Sequence, residues 1–202
     1  MLTYILEGIV MFKFGKDIGE YVKVYNTIPN SVCDRAVSVM DDFNWQPHTF
    51  HNPHTNDFEP RSGDKELEYT QAPNKHLNIE HEIASYYYSA MKRYVTELDL
   101  DWFGGWTSFH KIRFNKYQKT RKMALHCDHI HTCFDGEQRG IPIFTILALL
   151  NDDYKGGEFY LWDKVIDMKK GDIILFPSVF LYPHKVEPVT EGVRYSCVSW
   201  AW

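Results

Sequence analysis

The chain has 202 residues, of which 44% are hydrophobic, 16% aromatic and 24% charged, with a formal net charge of −5. That composition holds one domain with a sizeable core, excludes wholesale disorder, and disfavours a nucleic-acid partner held mainly by phosphate neutralisation, a local basic patch aside. The four cysteines (Cys33, Cys127, Cys133, Cys197) are too irregularly spaced for a disulfide framework, and the longest apolar run, 141–150, falls far short of the about 20 residues of a membrane span. A reducing, cytoplasmic setting without membrane attachment is expected.

The first segment, MLTYILEGIVMFKFGK, lacks a basic leader and carries Glu7 within its apolar run, so it reads as structural padding rather than a signal peptide. Pro29-Asn30-Ser31 looks like a helix start, and Val32, Ala36, Val39, Met40 and Phe43 follow at helical spacing, predicting a first helix to about Phe43. From 50 to 74 only five of 25 residues are hydrophobic and Pro53, Pro60, Gly63 and Pro73 interrupt them. The spacing predicts a long loop there, of the kind that serves as a mobile lid. Ile79, Ile83, Tyr86, Tyr87, Met91, Tyr94 and Leu98 then mark the apolar face of a second helix over 77–98.

After Trp106 the pattern changes to short β-rich runs set off by Gly, Asp, Asn and Pro: 108–117, 123–127, 143–150, 158–162, 165–168, 173–176, 182–187 and 193–200. Eight such strands suit a sandwich or barrel. The expected fold is α+β and a single domain, with a helical N-terminal part over 1–106 packed on one face of a jelly-roll core over 107–202.

His126-Cys127-Asp128 ends one candidate strand, and His184 lies in another. Two imidazoles and a carboxylate can hold Fe(II) on one face and leave positions open for cosubstrate and dioxygen. Residues two apart on a strand project to the same side, so one strand end supplies His126 and Asp128, and His184 must come from a neighbour. A His-x-Asp pair alone is a weak signal among 10 histidines. Arg194 and Ser196 strengthen it, since they share one side of the last strand and together can clamp a carboxylate through a guanidinium fork and a hydroxyl.

These residues sit in a longer ordered set: Leu149-Leu150-Asn151-Asp152-Asp153-Tyr154, Gly156-Gly157-Glu158, Gly171-Asp172, Leu175-Phe176-Pro177-Ser178, His184-x-Val186-x-Pro188-Val189, Gly192-x-Arg194-Tyr195 and Trp200. In that order, over about 108–202, the chain resembles the Fe(II)- and 2-oxoglutarate-dependent dioxygenases, in particular their prolyl 4-hydroxylase-like branch. The resemblance implies a double-stranded β-helix, with His126, Asp128 and His184 on iron and Arg194 on the C5 carboxylate of 2-oxoglutarate. It also implies that Tyr117, nine residues before His126, hydrogen-bonds that cosubstrate. Met168 stands where many relatives have proline, and Arg194 where the animal collagen enzymes resemble one another in using lysine.

Other motifs weigh less. Gly156-Gly157-Glu158 precedes no helix and reads as a turn rather than a phosphate cradle. Cys127, His129, His131 and Cys133 offer zinc-type ligands, but alternate residues on a strand are poorly spaced for one tetrahedral site. Arg113, Lys116, Lys119, Arg121 and Lys122 form either a solvated loop or a rim that attracts an anionic substrate.

The expected activity is hydroxylation of a C–H bond using Fe(II), dioxygen and 2-oxoglutarate, with release of succinate and carbon dioxide and with ascorbate a candidate reductant. Retention of Asp128 argues against a halogenase. The resemblance favours a prolyl residue of a peptide or protein as substrate. A free amino acid or other small molecule is the alternative, and a non-catalytic metal-binding jelly-roll module is the alternative of another class.

Overall fold

The computed structural model describes residues 3–6 and 9–12 as backbone, and residues 17–52, 54–55, 57–61, 65–128 and 140–202. In chain order the first part contains β1 (Thr3–Leu6), β2 (Ile9–Phe12), β3 (Lys23–Asn26), α1 (Asn30–Ser38), β4 (Gln46–Pro47), β5 (Phe50–Asn52), β6 (Asp57–Glu59), β7 (Glu68–Gln71) and α2 (Leu77–Leu98). The second part contains β8 (Arg113–Tyr117), β9 (Met123–His126), β10 (Phe144–Leu149), β11 (Lys155–Gly156), β12 (Phe159–Leu161) and β13 (Lys164–Ile166). It ends with β14 (Asp172–Pro177), β15 (His184–Val186), β16 (Val189–Glu191) and β17 (Arg194–Ala201).

Two antiparallel sheets face each other as a double-stranded β-helix: a seven-stranded sheet in the order β3-β14-β10-β17-β8-β7-β4, and a four-stranded sheet in the order β13-β12-β15-β9. Strand alternation separates two cores. On β10, Phe144, Ile146 and Ala148 join Ile173, Leu175 and Cys197 against the helices. Leu147 points the other way, into the space between the sheets, with Ile174, Phe176, Leu161 and Val198. Because both faces of β10 are covered, all its residues are buried, and the strand reads as a continuous apolar run.

The helix α2 spans the residues the spacing predicts, and its apolar stripe covers the outer face of the large sheet. Two polar contacts fix it there. The Tyr87 hydroxyl donates to the Cys197 carbonyl at 2.8 Å on β17, and the buried Glu80 carboxylate accepts the Ile112 amide at 3.1 Å just ahead of β8. Helix α1 ends at Ser38 rather than near Phe43, the chain tightening into a 3-10 turn over Met40–Asp42.

The first half is less helical than its sequence predicts. Strand β3 pairs with β14 and completes one edge of the large sheet, although its four residues carry no alternation strong enough to reveal it. The expected long loop over 50–74 is also corrected: β5 and β6 pair as a ribbon, and β7 joins the large sheet beside β8. A strand near a sheet edge needs few apolar side chains, since backbone pairing of β7 with β8 on one side and β4 on the other supplies much of its stability. The candidate zinc residues His129, His131 and Cys133 lie outside the described residues.

Candidate active site

Strands β9 and β15 pair with His126 opposite His184, which brings together residues 58 positions apart at the open end of the small sheet. Asp128, two residues beyond His126, turns toward both. Its Oδ1 lies 3.3 Å from His126 Nε2 and its Oδ2 3.6 Å from His184 Nε2. One ligand atom from each of the three lies within 4.8 Å of the others, the one such group of His, Cys, Asp and Glu among the described residues.

Hydrogen bonds orient each of these side chains. His126 Nδ1 donates to the Ala124 carbonyl at 2.8 Å, and His184 Nδ1 to the Tyr182 carbonyl at 3.1 Å. Both Nε2 lone pairs are thereby left for a metal. The Thr145 hydroxyl donates to Asp128 Oδ2 at 2.8 Å and stands 2.7 Å from Ser178 Oγ. Burial lowers the His184 pKa to about 4, with the neighbouring His126 adding to the shift. Burial alone would raise the Asp128 carboxyl, but the two imidazoles and Trp200 outweigh it and hold the group well below the usual range. A neutral imidazole beside an ionised carboxylate is the protonation state a divalent metal needs, so the donor set fits Fe(II).

The cluster borders a cavity of about 400 Å³ whose walls include Phe50, Arg113, Tyr117, Met123, Val198 and Trp200. Phe50, on the β5–β6 ribbon, packs edge-on against His126 at 5.5 Å between ring centroids. Arg194 lies opposite Tyr117 in the β17–β8 register. It is 1% exposed, its Nη1 donates to Ser196 Oγ at 3.1 Å, and its guanidinium carbon is 4.9 Å from the Tyr117 ring centroid. Its Nε has no partner, and it forms no ion pair among the described residues. A desolvated guanidinium with an unsatisfied N–H beside two hydroxyls suits an external carboxylate. Arg194 itself borders a second, smaller cavity of about 130 Å³.

The chain holds Arg194 in place through residues that sequence reasoning quoted without a role. Asn151 Nδ2 donates to the Val193 carbonyl at 2.7 Å, and its Oδ1 accepts the Tyr195 amide at 2.7 Å, which brackets Arg194 on both sides. Gly157 has φ of +67°, and a Cβ there would stand 3.0 Å from Arg194 Cδ and from Val189 Cγ2. The Gly-Gly turn thus admits the arginine stem, in keeping with its reading as a turn.

Thr145 was also missed, since a threonine in an apolar run carries no functional signal by itself. The basic run divides by pleat phase. Arg113 shares the cavity side of β8 with Asn115 and Tyr117, whereas Lys116 lies over the Trp45 ring at 5.4 Å. Arg121 Nη1 donates to the Glu66 carbonyl. Cys127 Sγ donates to the Phe180 carbonyl at 3.4 Å.

Residues 112–202 match the family model described as the 2OG-Fe(II) oxygenase superfamily. Among curated proteins, a PKHD-type hydroxylase of Rippkaea orientalis is 34% identical over 98 residues, 45% of this chain and 42% of that protein. One from Prochlorococcus marinus is 30% identical over 132 residues, 63% of this chain and 58% of that protein. The chain thus spans about half the length of the curated relatives it matches. Among solved structures, the viral collagen prolyl hydroxylase of Paramecium bursaria chlorella virus-1, solved as a 2OG complex, aligns over 91% of this chain and 96% of its own, with a TM-score of 0.65 at 16% identity. A Pseudomonas putida prolyl-4-hydroxylase aligns over 89% and 91%, with a TM-score of 0.61 at 17% identity. At such identities the likeness establishes the jelly-roll fold. With that fold, and with the residues that carry the family pattern in order along β8 to β17, residues 112–202 are similar to the 2OG-Fe(II) oxygenase superfamily.

Proposed function

We propose that this chain is an Fe(II)- and 2-oxoglutarate-dependent dioxygenase that hydroxylates a C–H bond. The observation that carries the reading is the His126, Asp128 and His184 cluster, with both Nε2 atoms free and all three side chains bordering one cavity. In this reading these three hold the iron, and Arg194, Ser196 and Tyr117 hold the distal carboxylate of 2-oxoglutarate. The bound iron supplies the oxidising chemistry, drawing on dioxygen and on decarboxylation of 2-oxoglutarate to succinate. The protein's part is positional: Thr145 keeps the Asp128 carboxylate turned toward the metal, Asn151 keeps Arg194 facing inward, and the aromatic walls limit water at the reacting atoms.

A prolyl residue of a peptide or protein is the favoured substrate, in line with the prolyl hydroxylase fold of the structural neighbours. A free amino acid is the second reading, and the half-buried Arg113 on the cavity wall favours it. The chain acts in this proposal as a single domain, in which 1–106 contributes specificity and 107–202 the metal and cosubstrate sites. Ascorbate enters only as a reductant that keeps iron in the Fe(II) state. The free thiols of Cys33, Cys127 and Cys197 fit a reducing, cytoplasmic setting, and no helix of the described residues is long and apolar enough to cross a membrane.

The test is succinate formation from 2-oxoglutarate by the purified protein with Fe(II) and oxygen, followed by a mass-spectrometric search for products heavier by one oxygen atom. Metal binding without any succinate would leave a non-catalytic metal-binding module as the answer.

A further inference from the structure

Arg113 is a cation that forms no ion pair among the described residues, although it feels the charge of Asp128 across the cavity. Its Nε donates to Asn115 Oδ1 at 2.9 Å, its Nη2 donates to His48 Nδ1 at 3.1 Å, and its guanidinium carbon lies 4.2 Å from the Tyr69 ring centroid. All three partners are neutral. Asp128, the one acidic residue on the cavity wall among the described residues, accepts from Thr145 and faces the two imidazoles of the metal cluster.

His48 adds a second donor. It is 9% exposed. Because its Nδ1 accepts from Arg113, its ring proton sits on Nε2, which is buried without a partner. On the same wall Phe50 lies between His126 and Arg61, whose guanidinium carbon is 4.3 Å from the Phe50 ring centroid. The wall thus presents the Arg113 charge to whatever enters, with one unpaired N–H, that of His48 Nε2, buried beside it. Leaving such groups unpaired away from water is costly, so the site is suited to a ligand that brings negative charge.

We infer that Arg113, supported by His48, anchors a free carboxylate on the substrate that is hydroxylated, which selects a free amino acid or a C-terminal residue over an internal residue of an uncharged peptide. This inference rests on the oxygenase reading above. The carboxylate belongs to that substrate rather than to 2-oxoglutarate because Arg194 already offers the cosubstrate a guanidinium with an unpartnered N–H. In the β8–β17 register Arg194 pairs with Tyr117 and Val198 with Arg113. The two arginine positions are therefore four residues apart along the strand, about 13 Å. The fork geometry of Arg113 also orients the carboxylate bidentately, which fixes the carbon presented to the metal.

The test uses two acid–amide pairs on the iron-loaded protein in the presence of 2-oxoglutarate: L-proline against L-prolinamide, and N-acetylglycyl-L-proline against its C-terminal amide. Binding is read from the fluorescence of Trp200 and Trp202, which line the cavity, and turnover from succinate. For wild type, at least one acid should bind about 10- to 100-fold more tightly than its amide, and which acid does so separates a free amino acid from a C-terminal residue. Arg113→Met should abolish that preference, and Arg113→Lys should restore part of it by returning the charge without the fork. The KM for 2-oxoglutarate is measured in the same variants. Equal binding of acid and amide, binding of neither acid, or a preference that survives Arg113→Met overturns the inference. A rise confined to the KM for 2-oxoglutarate also overturns it by assigning Arg113 to the cosubstrate. Failure of wild type to form succinate with 2-oxoglutarate would instead defeat the oxygenase reading itself.

Discussion

His126 and His184 are cross-strand partners with ring centroids 4.2 Å apart, and each donates its Nδ1 proton to the carbonyl two residues earlier on its own chain segment, Ala124 or Tyr182. The same local device thus sets the tautomer of both imidazoles. It needs no other side chain, only a backbone that exposes a carbonyl at that offset.

Replacing His184 with Ala should abolish succinate formation and weaken binding of Mn(II), an inert stand-in, by at least about 100-fold, because two ligands remain where the geometry calls for three. Thr145→Val, nearly isosteric, removes the hydrogen bond to Asp128 Oδ2 and should weaken the metal by about 10-fold. Calorimetric titration with Mn(II) measures both. Unchanged affinity in His184→Ala would sink the ligand assignment.

Arg194 should govern cosubstrate affinity. Arg194→Lys keeps the charge but loses the fork, so the KM for 2-oxoglutarate should rise about 10-fold. Arg194→Ala should raise it by about 100-fold or more. If neither variant changes that KM in steady-state kinetics, the cosubstrate carboxylate is held elsewhere.

Asn151 and Gly157 should act on the same parameter through position. Asn151→Ala releases the backbone on both sides of Arg194 and should raise the KM for 2-oxoglutarate by about 10-fold while leaving Mn(II) affinity within a factor of about two. Gly157→Ala forces a Cβ into a left-handed residue against Arg194, which should cost about 1–3 kcal/mol of stability in denaturant titrations. A drop in Mn(II) affinity matching the rise in KM would point to general unfolding instead.

Stability of the metal-free protein should decline in mildly acidic solution. Burial first, and then the Arg113 charge, lower the His48 pKa from 6.5 to about 2. The unfolded chain therefore takes up a proton below about pH 6.5 that the folded chain refuses. The contribution of His48 is fully present above that pH and shrinks as pH falls from there toward about 2. At about pH 5.5 the loss amounts to about 1.4 kcal/mol. Denaturant titrations of wild type and His48→Gln at about pH 7.5 and pH 5.5 test it, since the variant should lose correspondingly less on acidification.

Much of this protein is legible in its sequence because local spacing and fixed side-chain chemistry carry the information. The apolar stripe from Ile79 to Leu98 has one helical period, and α2 follows it to the residue. The strand runs after Trp106 are short, β-rich and punctuated by turn residues, and all eight become strands. His126, Asp128 and His184 were identifiable by type and order. What tertiary structure alone decided are relationships between segments with weak local signals. Strand β3 and the strands within 50–74 are stabilised by backbone pairing with partners far along the chain, so their own side chains need not show a pattern. Asn151 and Thr145 are ordinary residues until folding places them beside Val193, Tyr195 and Asp128. Arg113 stands in a run of positive charges that reads as solvated, and only the β8 register turns it into the cavity while Lys116 faces Trp45. Composition fixes how many charges a chain carries, but the desolvation and partners that make one of them chemically distinct arise only when distant strands close around it.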